Sequence, residues 1–298
     1  MSLLPEFWPK RLHTVLLDTY GAPLHIKLVT EGHAVWRVQS AKQSVIVKRS
    51  THPRESIFYT MVAPTLAAVD IPLPHLEWSG RDADTFWLVL EDIPTPLPRV
   101  RWSADQEMLT VLHRLHHRLP LNLNLAFPSF EPDWSETMTN DALACFPSAQ
   151  ARRLAPILED LRLSHQTLFA PQCWISGDPN PTNWGLRGDG TIVLYDWERF
   201  GKATPAVDLA ITVPGLGERA VFQAVATAYL ERDDRSSSLA AQEISFLTQE
   251  MIVAKVWSII EYLSGHYHAG TIARSTRIDT LIQQIPAWLE KIISSRKE

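Results

Sequence analysis

Apolar and polar positions alternate with a period of two in three short stretches near the N-terminus: HIKLVT (25–30), AVWRVQS (34–40) and SVIVKRS (44–50). β-Branched residues are common in them and turn residues separate them, which predicts an antiparallel meander. In the third stretch the alternation buries Val45 and Val47. HPRESIFYTMVAP (52–64) then shifts to a helical pattern, with Pro53 suited to the first turn and Pro64 expected to end the helix. TFWLVLEDI (85–93) reads as a buried strand. IPTPLPRVRW (93–102), with Pro94, Pro96 and Pro98, reads as a connector between two lobes.

Beyond the connector the period becomes helical. ADQEMLTVLHRLHHRL (104–119) places Leu109, Leu112 and Leu115 at helical spacing, and a long helical stretch runs from about Ser148 to Leu168. A strand pair follows, NWGL and TIVLYDW, joined by the turn RGDG. From Pro205 the pattern is helical to the end, interrupted by the polar loop ERDDRSSS. These periods predict an α+β protein with two lobes. A small β-rich lobe with one helix spans residues 1–92, and a larger, mainly helical lobe spans 93–298.

The 298 residues are 45% hydrophobic and 20% charged, ordinary for a globular chain able to bury a sizeable core. A net charge of −5 and the lack of any lysine/arginine block make the chain a poor phosphate-backbone binder, so no nucleic-acid partner is expected. Two cysteines without metal-type spacing, no secretory leader and no long uncharged apolar run point to the cytoplasm, with no membrane association and no protein partner predicted.

Candidate chemistry lies in WISGDPNPTNWGL (174–186). Asp178 and Asn183 are five residues apart, and Asp196 follows thirteen later at the end of the second strand of the pair. Phosphoryl transfer needs such a set: one carboxylate orients the attacking hydroxyl and accepts its proton, while an amide oxygen and a second carboxylate hold Mg²⁺ on the phosphates. Alone, DPNPTN is a turn built from turn-forming residues. Its meaning changes with Lys48, which ends a strand where it can reach phosphates, and Glu55, which can pair with it from the next helix. Each of these has a plain alternative: a solvated strand-end lysine, and a first-turn carboxylate favoured by the helix dipole. It is the ordered set that argues for chemistry.

With these residues in view, the sequence resembles the aminoglycoside phosphotransferase/choline kinase-like family, which has a protein-kinase-like fold. SGDPNPTN is similar to the family's H-G-D-x-x-x-x-N stretch, and LYDWERFGKATPAVDLA to its metal stretch. RESIFY, LVLEDI and LHRLH match weaker family patterns, so the resemblance covers roughly residues 28–212. It implies that Asp178 is the catalytic base, Asn183 and Asp196 bind Mg²⁺, Lys48 binds phosphates and Glu55 holds Lys48. It also implies that the backbone of Glu91, Asp92 and Ile93 meets the nucleotide base and that Asp208 ties down the catalytic loop. Mg²⁺ and ATP or GTP are the implied cofactor and co-substrate, and the implied acceptor is a hydroxyl of a small molecule.

Two departures stand out. Ser176 replaces the family's usual histidine, which predicts altered bracing of the Asp178 loop. TEGHAVW offers only Gly32 for covering phosphates, through nearby backbone N–H groups. These departures support a rival, a non-catalytic nucleotide-binding regulatory protein. A protein-substrate kinase is disfavoured, because Asp208 follows Asp196 too closely for a long activation loop. Among the remaining features, His113 and His117 share a helix face without a metalloprotease pattern. The acidic residues and Trp257, Tyr262 and Tyr267 of the last third suggest an amine-bearing acceptor, against the plainer reading of Trp257 as core.

Overall fold

The computed structural model describes residues 4–22, 24–30, 34–123, 127–232, 240–268 and 276–294. The chain opens with a helix absent from the strand-dominated reading, α1 (Lys10–Tyr20). Leu12 and Leu16, four apart and both fully buried, anchor it, and Gly21 at φ +72° ends it by donating its N–H to Leu17 O. The alternating stretches form β1 (His25–Thr30), β2 (Val35–Gln39) and β3 (Ser44–Ser50). Val38, Val45 and Val47 face α1 and pack with Trp8, Leu12 and Leu16. Strand alternation therefore turns Lys48 to the opposite face.

That face receives α2 (Arg54–Ile57), a π-helical turn (Phe58–Val62) and α3 (Ala63–Ala68). Pro64 does not end the helix, as its sequence position suggested. It falls in the first turn of α3, just after the π turn, so the N–H it lacks is absorbed at an irregularity already present in the ladder. Next come β4 (Leu76–Asp82) and β5 (Thr85–Glu91). The five-stranded antiparallel sheet runs β1-β2-β3-β5-β4, with β5 between β3 and β4, which explains its near-continuous apolar run. The Pro-rich connector contains a short strand, β6 (Thr95–Pro96).

Helices then follow. The N-cap Asp105 starts α4 (Gln106–Arg118) by accepting from the N–H groups of Glu107 and Met108. Ser135 likewise caps α5 (Glu136–Ala144), and α6 (Ser148–Ser164) succeeds it. Four short strands come next: β7 (Cys173–Ile175), β8 (Trp184–Leu186), β9 (Ile192–Leu194) and β10 (Gly201–Ala203). The chain finishes with α7 (Pro205–Thr212), α8 (Arg219–Leu230), α9 (Ala240–His268) and α10 (Thr276–Ser294). No helix among the described residues is long and apolar enough to cross a membrane.

The chain forms two compact units. One holds residues 1–97, 123–129 and 182–199, and so includes the five-stranded sheet and the β6-β8-β9 sheet. The other holds 98–122, 130–181 and 200–298, with α4 to α10 and the antiparallel pair β7-β10. The segment carrying Asp178 belongs to the helical unit and the β8-β9 hairpin to the sheet unit.

Candidate active site

In the sheet unit, Lys48 is the centre of an ion-paired group. Its Nζ lies 2.6 Å from Glu55 Oε2 and 2.9 Å from Asp196 Oδ1. β3 supplies the lysine, α2 supplies the glutamate, and the end of β9 leads to the aspartate. Burial works against the Lys48 charge, but Glu55 and Asp196 more than offset it and leave its pKa above that of an ordinary lysine. Glu55 is only 3% exposed, and burial pushes its carboxyl up to about 7 despite the nearby lysine. One turn on, the Tyr59 hydroxyl is pushed well up by burial and by the charge of Glu55. Phe58 stacks on Trp197 at 4.9 Å, which ties the helix to the residue after Asp196.

The β8-β9 hairpin aligns the two candidate metal ligands. Trp184 pairs with Leu194, and Tyr195 N–H donates to Asn183 O at 3.0 Å, so Asn183 and Asp196 flank the open end of the hairpin. Tyr195 Oη donates to Thr182 O at 2.8 Å and holds the same turn. Asp196 sits at φ +69°, a left-handed conformation costing a non-glycine residue about 1–3 kcal/mol and common at functional sites. Glu55, Asp196 and Glu198 each offer a carboxylate oxygen, all within 4.8 Å of one another. With Asn183 opposite Tyr195 at the end of the hairpin, these hard oxygen donors suit Mg²⁺.

The side chains at the end of β5 are committed to ion pairs. Glu91 takes a bidentate pair from Arg187, Nε to Oε1 and Nη2 to Oε2, each 2.7 Å. Burial raises the Glu91 carboxyl, but Arg187 and the His75 N–H outweigh it and hold the pKa below the usual value. Asp92 accepts from Arg37 Nη2 at 3.0 Å and from Ser44 Oγ at 2.6 Å. The Glu91 backbone N–H donates to His75 O at 2.9 Å. Ile93 packs its Cγ2 over Gly185, where a Cβ would lie 2.6 Å away. Gly32 lies outside the described residues.

In the helical unit, the turn after β7 hangs on Asp208. This fully buried carboxylate, in the first turn of α7, accepts from Ser176 N and Gly177 N at 2.8 Å each. Gly177 adopts φ +81°, which suits glycine. His116 of α4 adds its Nε2 to Asp208 Oδ2 at 3.2 Å, and its Nδ1 lies 2.8 Å from Tyr229 Oη. His117 Nε2 also reaches that hydroxyl, at 3.2 Å. One proton assignment gives each atom a single role: His117 donates to Tyr229, Tyr229 to His116, and His116 to Asp208. The Ser176 Oγ is buried and makes no hydrogen bond among the described residues. The loop is therefore held through the backbone N–H groups of Ser176 and Gly177, and the serine hydroxyl adds no bond.

Asp178 is half-buried, and its charge acts on Lys255 of α9. Trp257 is fully buried and donates its Nε1–H to Asp133 O, so it is core, while Tyr262 and Tyr267 are exposed. His113 stacks on His117 with ring centroids 4.3 Å apart. Sequence reasoning did not single out Glu198, Arg187 or Lys255. Glu198 is two residues beyond Asp196 in a motif already noticed, so its signal was present. Arg187 and Lys255 carry no local signal, because the groups they answer to, Glu91 and Asp178, lie in distant parts of the sequence.

Among solved structures, the chain is similar to a thermostable mutant of aminoglycoside phosphotransferase APH(4)-Ia in ternary complex with ADP and hygromycin B. That match has a TM-score of 0.63 at 11% identity, covering 96% of this chain and 99% of that one. It is also similar to the choline kinase LicA from Streptococcus pneumoniae, with TM-score 0.59, 12% identity and coverage of 95% and 99%. A third is aminoglycoside phosphotransferase APH(3'')-Id from Streptomyces rimosus in complex with ADP and streptomycin, with TM-score 0.50, 20% identity and coverage of 84% and 97%. At these identities the likeness is one of fold, the protein-kinase-like fold. No curated protein matches the chain. A sequence profile described as "Phosphotransferase enzyme family" matches residues 25–241, more than half of the sequence, and the chain belongs to that family.

Proposed function

We propose that this phosphotransferase moves the γ-phosphoryl group of ATP or GTP to a hydroxyl of a small molecule, with Mg²⁺ as cofactor. The observation that carries the proposal is the ion-paired group of Lys48 with Glu55 at 2.6 Å and Asp196 at 2.9 Å. A buried carboxylate that fixes a strand lysine beside a second, half-exposed carboxylate is costly to maintain. It has a use where a triphosphate and its counter-ion must be received. Lys48 binds phosphate oxygens and Glu55 fixes its position. Asn183 and Asp196 would hold Mg²⁺, with Glu198 close enough to assist. Mg²⁺ held by these residues would supply positive charge to the phosphate oxygens.

Asp178 orients the acceptor hydroxyl and takes its proton, and Asp208 holds the Asp178 loop through two backbone N–H groups. The backbone following β5 receives the base, with the Glu91–Arg187 pair keeping that segment in place. An amine-bearing hydroxyl compound is the first acceptor class to test, because solved structures of this fold carry hygromycin B or streptomycin and one is a choline kinase.

The test is a γ-labelled phosphate-transfer screen over hydroxylated small molecules, run with ATP and with GTP and with Mg²⁺ present or chelated. Transfer that needs Mg²⁺ and falls on the order of 10²–10⁴-fold in Asp178→Ala supports the assignment. Mg²⁺-dependent nucleotide binding without transfer or hydrolysis favours the regulatory reading, and absence of both defeats the proposal.

A further inference from the structure

The helical unit holds a cavity of about 580 Å³ between the end of α4, the end of α8 and the first turns of α9. That volume suits a small organic molecule. Tyr229 of α8 and Leu247 of α9, both buried, form its floor. On α9, Glu243, Phe246, Leu247 and Glu250 fall at positions i, i+3, i+4 and i+7, so they share one face of the helix. Phe246 is 65% exposed, which leaves its ring available to a ligand.

Two carboxylates and no lysine or arginine line this cavity. Glu250 is half-buried, and neither it nor Glu243 makes a hydrogen bond or ion pair among the described residues. Burial alone raises the Glu250 carboxyl pKa, as it must where no cation faces the group. A partly desolvated carboxylate without a partner is unfavourable, and a cation brought to it restores part of what burial removed. Phe246 and Tyr229 add aromatic rings, whose faces attract the same sign of charge. His117 also lines the cavity, with its Nε2 engaged by Tyr229 Oη at 3.2 Å.

The cavity is not the site already described. None of Lys48, Glu55, Asp178, Asn183 and Asp196 lines it. The hydrogen-bond chain from Tyr229 through His116 to Asp208 links its floor to the Ser176 and Gly177 N–H groups. We infer that this cavity is a second ligand-binding site, which takes a small primary amine with an aromatic or aliphatic body. The ammonium pairs with Glu250, with Glu243 on the same helix face, and the body lies against Phe246, Tyr229 and Leu247. The inference goes beyond the phosphotransfer reading and does not depend on it. A ligand in the cavity touches Tyr229 and His117, the outer members of the chain that holds the Asp178 loop.

Isothermal titration of the full-length protein with 2-phenylethylamine, a cation at neutral pH, tests the site. 2-Phenylethanol and 3-phenylpropionate are its neutral and anionic counterparts. The expected dissociation constant for the amine is about 1 mM or tighter, within reach of a ligand of that size. Binding should weaken about fivefold or more in Glu250→Gln and about two- to fivefold in Phe246→Ala, and stay unchanged in Asp178→Asn. The alcohol should bind about fivefold or more weakly than the amine, and the carboxylate not at all. Amine binding that is equal in wild type and Glu250→Gln, or that is lost in Asp178→Asn, places the cation elsewhere and overturns the inference. Equal affinity for amine and alcohol, or no binding of the amine, overturns it as well. If Glu250→Gln fails to fold, the exposed position of Phe246 makes Phe246→Ala a safe substitute, and with the amine–alcohol comparison it still decides.

Discussion

Replacing Asp208 with asparagine keeps the shape of a fully buried side chain and removes its charge. The carboxylate accepts from two backbone N–H groups, Ser176 and Gly177, at 2.8 Å each, and from His116 at 3.2 Å. Asparagine has one acceptor oxygen, so one of the two backbone N–H groups must face an NH₂. Loss of one charge-assisted hydrogen bond costs about 1.5–3 kcal/mol, and a stranded buried N–H adds about 1–3 kcal/mol. The total, about 2.5–6 kcal/mol, brackets the usual cost of about 3–5 kcal/mol for breaking a buried charged network. It is a large share of an ordinary stability of about 5–15 kcal/mol. Urea unfolding followed by tryptophan fluorescence reads the loss, and turnover should fall with it as the loop before Asp178 loosens. A double-mutant cycle with His116→Ala should show coupling above about 0.5 kcal/mol. A loss below about 1 kcal/mol with turnover intact would refute the view that this carboxylate holds the loop.

Ser176→Ala should leave turnover unchanged and stability equal or up to about 1 kcal/mol higher, because the buried Oγ has no partner to lose; a drop above about 1 kcal/mol on thermal unfolding would show that the hydroxyl is bonded in solution. Gly201→Ala should destabilise by about 3 kcal/mol, since the new Cβ would lie 2.0 Å from Phe130 O, and backbone cannot rotate away; urea midpoints measure it, and a neutral result refutes the close approach. The stability difference between wild type and Lys255→Met should depend on pH. With the folded pKa near 8 and the unfolded near 10.5, the unfolded state binds more protons between those values, so wild-type stability relative to the variant rises with pH there and is lost as pH falls through 8. The full swing is roughly 3 kcal/mol, and a flat difference from about pH 7 to about pH 10.5 would remove the burial argument.

The three strands of the meander were legible because alternation over five to seven residues leaves only one face for the core, and Val45 and Val47 took it. The hairpin β8-β9 was legible from its turn residues, and α4 from its apolar spacing. The first helix was not: Leu12, Val15, Leu16 and Tyr20 do stand at helical spacing in Lys10–Tyr20, but the stripe is short and follows Pro5 and Pro9. Pro64 misled because local rules place a proline at a helix stop, whereas a π turn ahead of it gives its missing N–H nowhere to matter.

Sequence by itself determined the alternating and helical periods, the order of Lys48, Glu55, Asp178, Asn183, Asp196 and Asp208, and the serine at position 176, because these are local facts of residue type and spacing. Tertiary structure alone decided that Asp208 holds the loop by Ser176 and Gly177 N–H groups, with His116 and Tyr229 behind it. It also decided that Arg187 grips Glu91 and that Lys255 carries its charge near Asp178. Those pairings join residues from 31 positions apart, Gly177 with Asp208, to 113 apart, His116 with Tyr229. No local rule selects one distant partner over another; burial does, by making an unpaired charge too costly to keep.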